Sequence, residues 1–287
     1  MMKIKSLLTI AIAVSGITAS GAFTPAQSVT LVNGNFTPTN VTQSAYLGNT
    51  AASGGLIVNV PGWRFAAQLA GTDGFTTNQN GYNFIAPFGD TLLRNFKNNG
   101  ITASRAIELN RTGNGNAVNL YSGNTPIASP VAGATWYIAA DAAFQQGAIE
   151  QTLTGLTIGQ GYNVTFYQAA GQQAGFTGAT TEQWQVSLGT SSKLSTLINL
   201  ASEANVTPWQ QQTLSFTATK ASDVLSFLAV GTPVGQPPFS LLTGVSVTPN
   251  SVTPTVVPEP FTIIGTIVGG TAALRLRKKL TKSTKNA

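Results

Sequence analysis

The sequence of 287 residues predicts an all-β protein, with a two-sheet antiparallel sandwich formed by residues 29–250. This part of the chain is rich in Gly, Thr, Asn, Gln and Ser, and only 8% of the whole chain is charged. Such a composition is typical of short strands joined by tight turns. Apolar and polar residues also alternate in about ten separate segments, which is the pattern of strands with one buried face.

The clearest predicted strand is residues 183–188, where apolar residues alternate with polar ones without interruption. Residues 162–167 alternate in the same way and place Tyr162, Val164 and Phe166 on one face. Another predicted strand spans residues 213–218 and places Leu214, Phe216 and Ala218 on one face. The remaining predicted strands span residues 56–60, 105–109, 117–121, 136–140, 148–153, 224–228 and 244–248. Ten strands at this spacing favour a sandwich over an α/β fold.

Two segments interrupt the strand pattern. In residues 193–205, Leu194, Leu197, Ile198 and Ala201 recur at helical spacing, which predicts a short surface helix or a loop. Residues 78–96 contain Gly81, Pro87 and Gly89 and are predicted to form a long polar connection.

The amino end has the layout of a secretory signal peptide, predicted to span residues 1–28. Lys3 and Lys5 precede an apolar run over residues 7–14, and small residues continue to Ala22. Cleavage after Ala22 or after Ser28 is predicted, because both sites have small residues at the two positions that determine signal-peptide cleavage. Ser28 is favoured because Val29 would then begin the first strand. Retention of this segment as a membrane anchor is disfavoured, because the apolar run is short and polar residues interrupt it.

The carboxyl end is predicted to be a sorting segment, joined to the sandwich by a linker over residues 251–257. Pro258, Glu259 and Pro260 come first, followed by an apolar helix over residues 261–274 and a basic tail over 275–287. The tail contains the cations Arg275, Arg277, Lys278, Lys279, Lys282 and Lys285. An apolar segment followed by cations is the pattern of a single membrane-anchoring helix whose cations stay inside the cell.

The length of the apolar run departs from that of a full membrane span. Its 14 residues reach about 21 Å at about 1.5 Å each, against roughly 30 Å of hydrocarbon, and snorkelling of Arg275 and Arg277 supplies part of the difference. A buried C-terminal helix of the sandwich is the alternative, and it is disfavoured because a core helix would not end in six cations.

Residues 258–265, Pro-Glu-Pro-Phe-Thr-Ile-Ile-Gly, resemble the start of a PEP-CTERM sorting signal. The resemblance implies an exported bacterial protein that an exosortase, a membrane transpeptidase-like enzyme, processes near this motif. It also implies transient anchoring in the membrane and a cell that builds extracellular polysaccharide.

A second resemblance covers most of residues 29–249. Asn33-Gly34-Asn35-Phe36 followed by Gly62-Trp63 is similar to the opening of galactose-binding-like jelly rolls, and residues 148–166 are similar to their central hairpin. Many members of that family place Asp residues just before the closing Val-x-Val, whereas this chain has Leu241-Leu242-Thr243-Gly244. The resemblance therefore implies the jelly-roll fold but not a calcium or polar site at that strand.

Charge and composition exclude several functional classes. The net charge of +6 is carried by the two ends, since residues 29–256 contain seven basic and eight acidic side chains, which excludes a basic nucleic-acid surface. The chain has no Cys and no His, so disulfides, thiol chemistry, Ser-His-Asp catalysis and the usual zinc sites are excluded.

Aromatic side chains are the candidates for glycan binding, because a ring can stack on the C–H face of a sugar. Trp184 and Trp209 lie in strand patterns and are predicted to be core residues. For Trp63 and Trp136 the sequence does not decide between a core role and stacking on a sugar. Tyr82, Phe84 and Phe88 lie in the predicted connection and are the glycan-stacking candidates, with covering of the sandwich end as the alternative role.

Acidic side chains are the candidates for catalysis. Glu108, Asp141 and Glu150 lie in or beside predicted strands, and a glycosidase needs two acids about 5 to 10 Å apart. No catalytic motif accompanies them, so the protein is expected not to be an enzyme. Asp73 lacks the spaced acidic ligands of a calcium loop, and no metal or cofactor is predicted.

The sequence thus predicts an exported protein of the cell envelope or extracellular matrix with a non-catalytic role, including weak binding of extracellular polysaccharide. A purely structural or adhesive surface protein is the first alternative, and a carbohydrate-active hydrolase is the second.

Overall fold

The computed structural model describes residues 29–48, 57–66, 81–90, 93–98, 101–109, 118–123 and 125–250. The predicted signal peptide (1–28), linker (251–257) and sorting segment (258–287) lie outside these residues. Within the described part of the chain, no helix is long and apolar enough to cross a membrane.

The described residues form fifteen strands, so the all-β prediction is confirmed. In chain order the strands are β1 (Ala45–Tyr46), β2 (Arg64–Phe65), β3 (Asn83–Pro87), β4 (Leu93–Asn98), β5 (Ile101–Glu108), β6 (Asn119–Leu120), β7 (Trp136–Asp141), β8 (Ile149–Thr154), β9 (Gly161–Gln172), β10 (Thr180–Leu188), β11 (Ser191–Leu194), β12 (Ile198–Leu200), β13 (Gln210–Thr217), β14 (Ser222–Thr232) and β15 (Pro238–Pro249).

The strands form three antiparallel sheets, where two were predicted. The central sheet has the order β1-β3-β7-β15-β9-β13, and the outer sheet has the order β11-β10-β14-β8-β2, with β12 also pairing with β10. A small sheet has the order β4-β5-β6. The sandwich prediction is confirmed for the central and outer sheets, and the small sheet adds a third layer.

A core lies on each side of the central sheet, so β3 and β7 are buried on both faces, whereas β9 and β13 are buried on both faces over only part of their length or not at all. Side chains of β9 and β10 that point toward each other, such as Phe166 and Trp184, build the larger core between the central and outer sheets. On the opposite face, Tyr137 and Leu241 of the central sheet pack with Ile107 and Leu120 of the small sheet. All six residues of β7 are consequently buried.

Strands with one buried and one half-exposed face were predicted well from the sequence. In β9, Tyr162, Val164 and Phe166 are at most 1% exposed, as predicted.

The predicted strand at 56–60 is wrong, since residues 57–60 belong to no strand. There the amide of Asn59 donates to Oδ1 of Asn40 (2.8 Å), and the side-chain amide of Asn40 donates to the carbonyl of Ile57 (2.7 Å), so these backbone groups are satisfied outside a sheet.

The structure corrects the predictions for the two interrupting segments in part. In residues 193–205 the helix is wrong, because the segment contains the end of β11 and all of β12, whereas residues 195–197 and 201–205 are loop, as the alternative predicted. Ile198 and Leu200 are buried, while Leu194 and Leu197 are exposed. Residues 78–96 contain β3 rather than a continuous polar connection, because β3 is buried on both faces and so lacks alternation.

Candidate functional site

A cavity of about 460 Å³ lies where several connections between strands meet. Tyr82 precedes β3, Asp141 ends β7, residues 173–176 follow β9, and residues 234–237 join β14 to β15. We call it the end cavity, and its lining residues are Tyr82, Asp141, Ala143, Phe144, Gln173, Phe176, Val234, Gly235 and Pro237. Loops held on a rigid sheet are a common location for binding sites.

Asp141 is the deepest polar group of the end cavity, with 2% of its surface exposed. Its Oδ1 accepts hydrogen bonds from the backbone amides of Ala143 and Phe144, both at 2.9 Å. Its Oδ2 is buried and has no hydrogen-bond partner among the described residues. Burial raises the pKa of Asp141 to about 7, against the lowering effect of the two amide hydrogen bonds.

Tyr82 is fixed beside Asp141 by backbone hydrogen bonds. Its carbonyl accepts from the amide of Asp141 (3.0 Å), and its amide donates to the carbonyl of Gln145 (2.7 Å). Its ring meets Phe144 edge to face, with centroids 5.5 Å apart. Burial, and then the charge of Asp141, raise the pKa of Tyr82 to about 12, so its phenol is neutral at physiological pH.

Side chains that do not line the end cavity form hydrogen bonds with the loop that contains Phe176. The hydroxyl of Tyr121 accepts from the amide of Gly175 (3.0 Å) and donates to the carbonyl of Phe176 (3.3 Å). Gln236 accepts from the amide of Gly178 at 2.7 Å. These contacts fix the Phe176 loop against the β14–β15 connection, so the walls are in place before a ligand arrives.

The three predicted glycan-stacking residues have three different positions. Tyr82 lines the end cavity, whereas Phe84 lies within β3 and is 1% exposed, so it belongs to the core and not to a polar connection. Phe88 is half-buried and packs on Tyr137 and Trp209, with centroids 5.0 and 5.7 Å away. The alternative role of covering the sandwich end therefore describes Phe88 better than stacking does.

Sequence reasoning missed Phe144 and Phe176 as cavity residues. Phe144 follows a strand ending in Asp141, and an Asp whose side chain accepts from amides two and three residues later is a local turn signal. Phe176 stands in a Gly-rich segment that gives no comparable signal.

The tryptophans are packing residues. Trp184 is fully buried, as predicted, and its Nε1 donates to the carbonyl of Leu241 at 3.1 Å. Trp209, also predicted to be core, is half-buried and packs against the smaller core. Trp63 and Trp136 are 8% and 9% exposed.

The candidate catalytic acids do not share one cavity. Glu150 contacts Arg64 on the outer sheet and lines a separate cavity of about 260 Å³. Glu108 ends β5 in the small sheet, where its backbone pairs with Asn119. Of the acids in the described part of the chain, Asp141 alone lines the end cavity.

Asp73 lies outside the described residues. In the described ranges, no group of three acidic side chains is placed to hold a metal ion.

No protein-family model matches the chain, and no curated protein matches it. Among solved structures, it is similar to a cyclase from Fischerella sp. TAU in complex with 4-(1H-indol-3-yl)butan-2-one, at 13% identity over 68% of this chain and 88% of that one, with a TM-score of 0.33. It is also similar to TmCBM61 in complex with β-1,4-galactotriose (12% identity, 46% and 82% covered, TM-score 0.29). A structure described as CBM4 is similar at 19% identity, with 42% and 74% covered and a TM-score of 0.27. These values are too low to assign a ligand or an activity.

Proposed function

We propose that this protein is an exported, non-catalytic protein of the cell envelope or matrix that binds a glycan in the end cavity. The observation that carries the proposal is the combination of the Tyr82, Phe144 and Phe176 rings with one deep carboxyl group, Asp141. Sugars present apolar C–H faces and polar hydroxyls together, and this cavity offers aromatic surface for the first and an acceptor for the second. A volume of about 460 Å³ is within the usual range for small-ligand sites.

The proposal of export comes from the two ends of the chain. Lys3, Lys5 and the apolar run after them support a signal peptide, and the Pro258-Glu259-Pro260 motif with its apolar segment and cations supports PEP-CTERM sorting. The proposed partners are therefore an exosortase, the membrane during sorting, and extracellular polysaccharide, with no nucleic acid.

Glycan binding is tested by a glycan array followed by titration calorimetry with the sugars that bind. Replacing Phe176 with Ala should weaken binding by about 0.5 to 1.5 kcal/mol, because one stacking surface is lost. Phe88→Ala is the matched control, since it removes the same ring from a position outside the end cavity. The control should bind like the unaltered chain.

The array also separates the alternatives. Absence of any glycan binding would contradict the proposal and favour a purely structural or adhesive role. Release of reducing sugar from a bound polysaccharide would instead identify a hydrolase.

Sorting is tested by mass spectrometry of protein recovered from the envelope or the medium. We expect an N-terminus near Val29 and loss of the residues beyond about Pro260. Recovery of the intact chain from the cytoplasm would overturn the sorting proposal.

A further inference from the structure

We infer that the glycan bound in the end cavity carries a free ammonium group, as an amino sugar does, and that Asp141 and the surrounding aromatic rings hold this group. This inference rests on the proposed glycan-binding function and specifies the class of sugar.

Arg64, Lys193 and Lys220 are the cations whose side chains the structure describes, and none of them forms an ion pair with Asp141. Arg64 contacts Glu150 on the outer sheet, Lys193 lies 5.7 Å from the centroid of the Phe216 ring, and Lys220 is exposed in the turn before β14. A buried carboxylate without a counter-charge is costly, and a ligand cation would remove that cost. A neutral sugar hydroxyl could supply a hydrogen bond but not the charge.

One carboxylate oxygen of Asp141 has no hydrogen bond within the described residues. Both amide hydrogen bonds, from Ala143 and Phe144, go to Oδ1. The buried Oδ2 lacks a partner within the described residues, and Asp141 lines the end cavity. An ammonium group has three donors and needs acceptors of this kind.

The walls of the end cavity suit a cation as well. Tyr82, Phe144 and Phe176 contribute three rings to one lining, and the faces of aromatic rings attract ammonium groups. Because burial raises the pKa of Tyr82 to about 12, its phenol does not add a second negative charge. Ammonium binding would also favour the ionised form of Asp141, whose burial otherwise favours the protonated form.

The experiment compares two sugars on the unaltered full chain by titration calorimetry near neutral pH. The probes are the β-1,4-linked trimer of glucosamine and the same trimer with every amine acetylated, so that they differ in charge but share the sugar ring. We expect the amine form to bind about tenfold more tightly or better, since a charge-assisted contact is gained.

The Asp141→Asn variant tests which group is responsible. It keeps the shape of Asp141 and the oxygen that accepts from the Ala143 and Phe144 amides, but it removes the charge and replaces Oδ2 with an NH2 donor. The two trimers should therefore bind within about twofold of each other. Phe176→Leu, which keeps apolar volume and removes one ring, should weaken binding of the amine form while the preference over the acetylated form persists. Thermal unfolding of each variant shows whether it has folded.

The outcomes separate this inference from the proposed function. Equal or tighter binding of the acetylated trimer, or a preference that survives in folded Asp141→Asn, would overturn the inference and leave glycan binding standing. Failure of every sugar on the array and of both trimers would overturn glycan binding itself.

Discussion

Burial distinguishes the acidic residues of this protein from one another. Glu150 lies beside Arg64 on the outer sheet, whereas Asp141 and Glu182 are 2% and 1% exposed. Oγ1 of Thr180 donates to Oε1 of Glu182 at 2.5 Å, and Oε2 of Glu182 has no partner in the described part of the chain. Asp141 lines the end cavity, whereas Glu182 is not among the residues that line it.

The first prediction concerns the pH dependence of stability. Burial raises the pKa of Glu182 from 4.5 to about 8, so between these values the folded state binds the proton more tightly than the unfolded state. The free energy of unfolding should therefore fall as pH rises through this window. Glu182→Gln should reduce the fall by roughly 1 to 4 kcal/mol between about pH 5 and 8.5, measured by urea unfolding.

Asp141 contributes to the same pH dependence, because burial raises its pKa from 3.8 to about 7. Asp141→Asn is therefore the companion variant and should remove a further part of the fall. Identical pH dependence in the unaltered chain and in Glu182→Gln would contradict the assignment to Glu182.

The second prediction contrasts core and cavity aromatics. Trp184→Ala should lower the free energy of unfolding by about 3 to 5 kcal/mol, because it empties a fully buried position and removes the hydrogen bond to Leu241. Phe84→Ala should also be strongly destabilising, since its ring is buried in β3. Phe176→Ala, at the half-buried cavity wall, should cost about 1 kcal/mol or less. Equal destabilisation by all three would show that Phe176 is a core residue.

At the scale of elements, a buried serine between β11 and β12 forms hydrogen bonds with both β10 and β9. The hydroxyl of Ser195 accepts from the amide of Trp184 (2.8 Å) and donates to Oε1 of Gln168 (2.6 Å). Ser195 thus joins the outer sheet to the central sheet across the core. Ser195 lies in the loop between β11 and β12, within the segment for which a surface helix or a loop was predicted.

The third prediction tests that link. Ser195→Ala should lower the free energy of unfolding by about 1 to 3 kcal/mol, because it leaves a buried donor and a buried acceptor without a partner. Ser192→Ala is the matched control on exposed β11 and should change stability by less than about 0.5 kcal/mol. Equal effects of the two substitutions in chemical denaturation would show that the link contributes nothing.

The elements also show where sequence reasoning succeeds. Alternation identified β9 and β10 because one face of each is buried and the other is half-exposed. Alternation missed β3, because this strand is buried on both faces and its apolar and polar residues do not alternate. The end cavity could be predicted only in part, through Tyr82, because Tyr82, Phe144, Phe176 and Val234 are brought together by long-range pairing that no local pattern encodes.

At the scale of the whole molecule, the two cores hold the three sheets together without disulfide bonds. Both cores are built from residues between Val29 and Val247, and the chain has no Cys. The described residues up to Asn250 belong to one compact unit. Folding of the sandwich should therefore require neither end of the chain.

The fourth prediction is that residues 29–250 fold when produced alone. The fragment should be soluble, give a circular dichroism spectrum dominated by β structure, and unfold in one cooperative transition that is the same with and without reductant. Its stability should also equal that of the full chain, because the residues that build the two described cores lie between Val29 and Val247. A mainly helical spectrum would contradict the fold. A gradual transition that becomes cooperative only in the full chain would show that one of the ends contributes to the core.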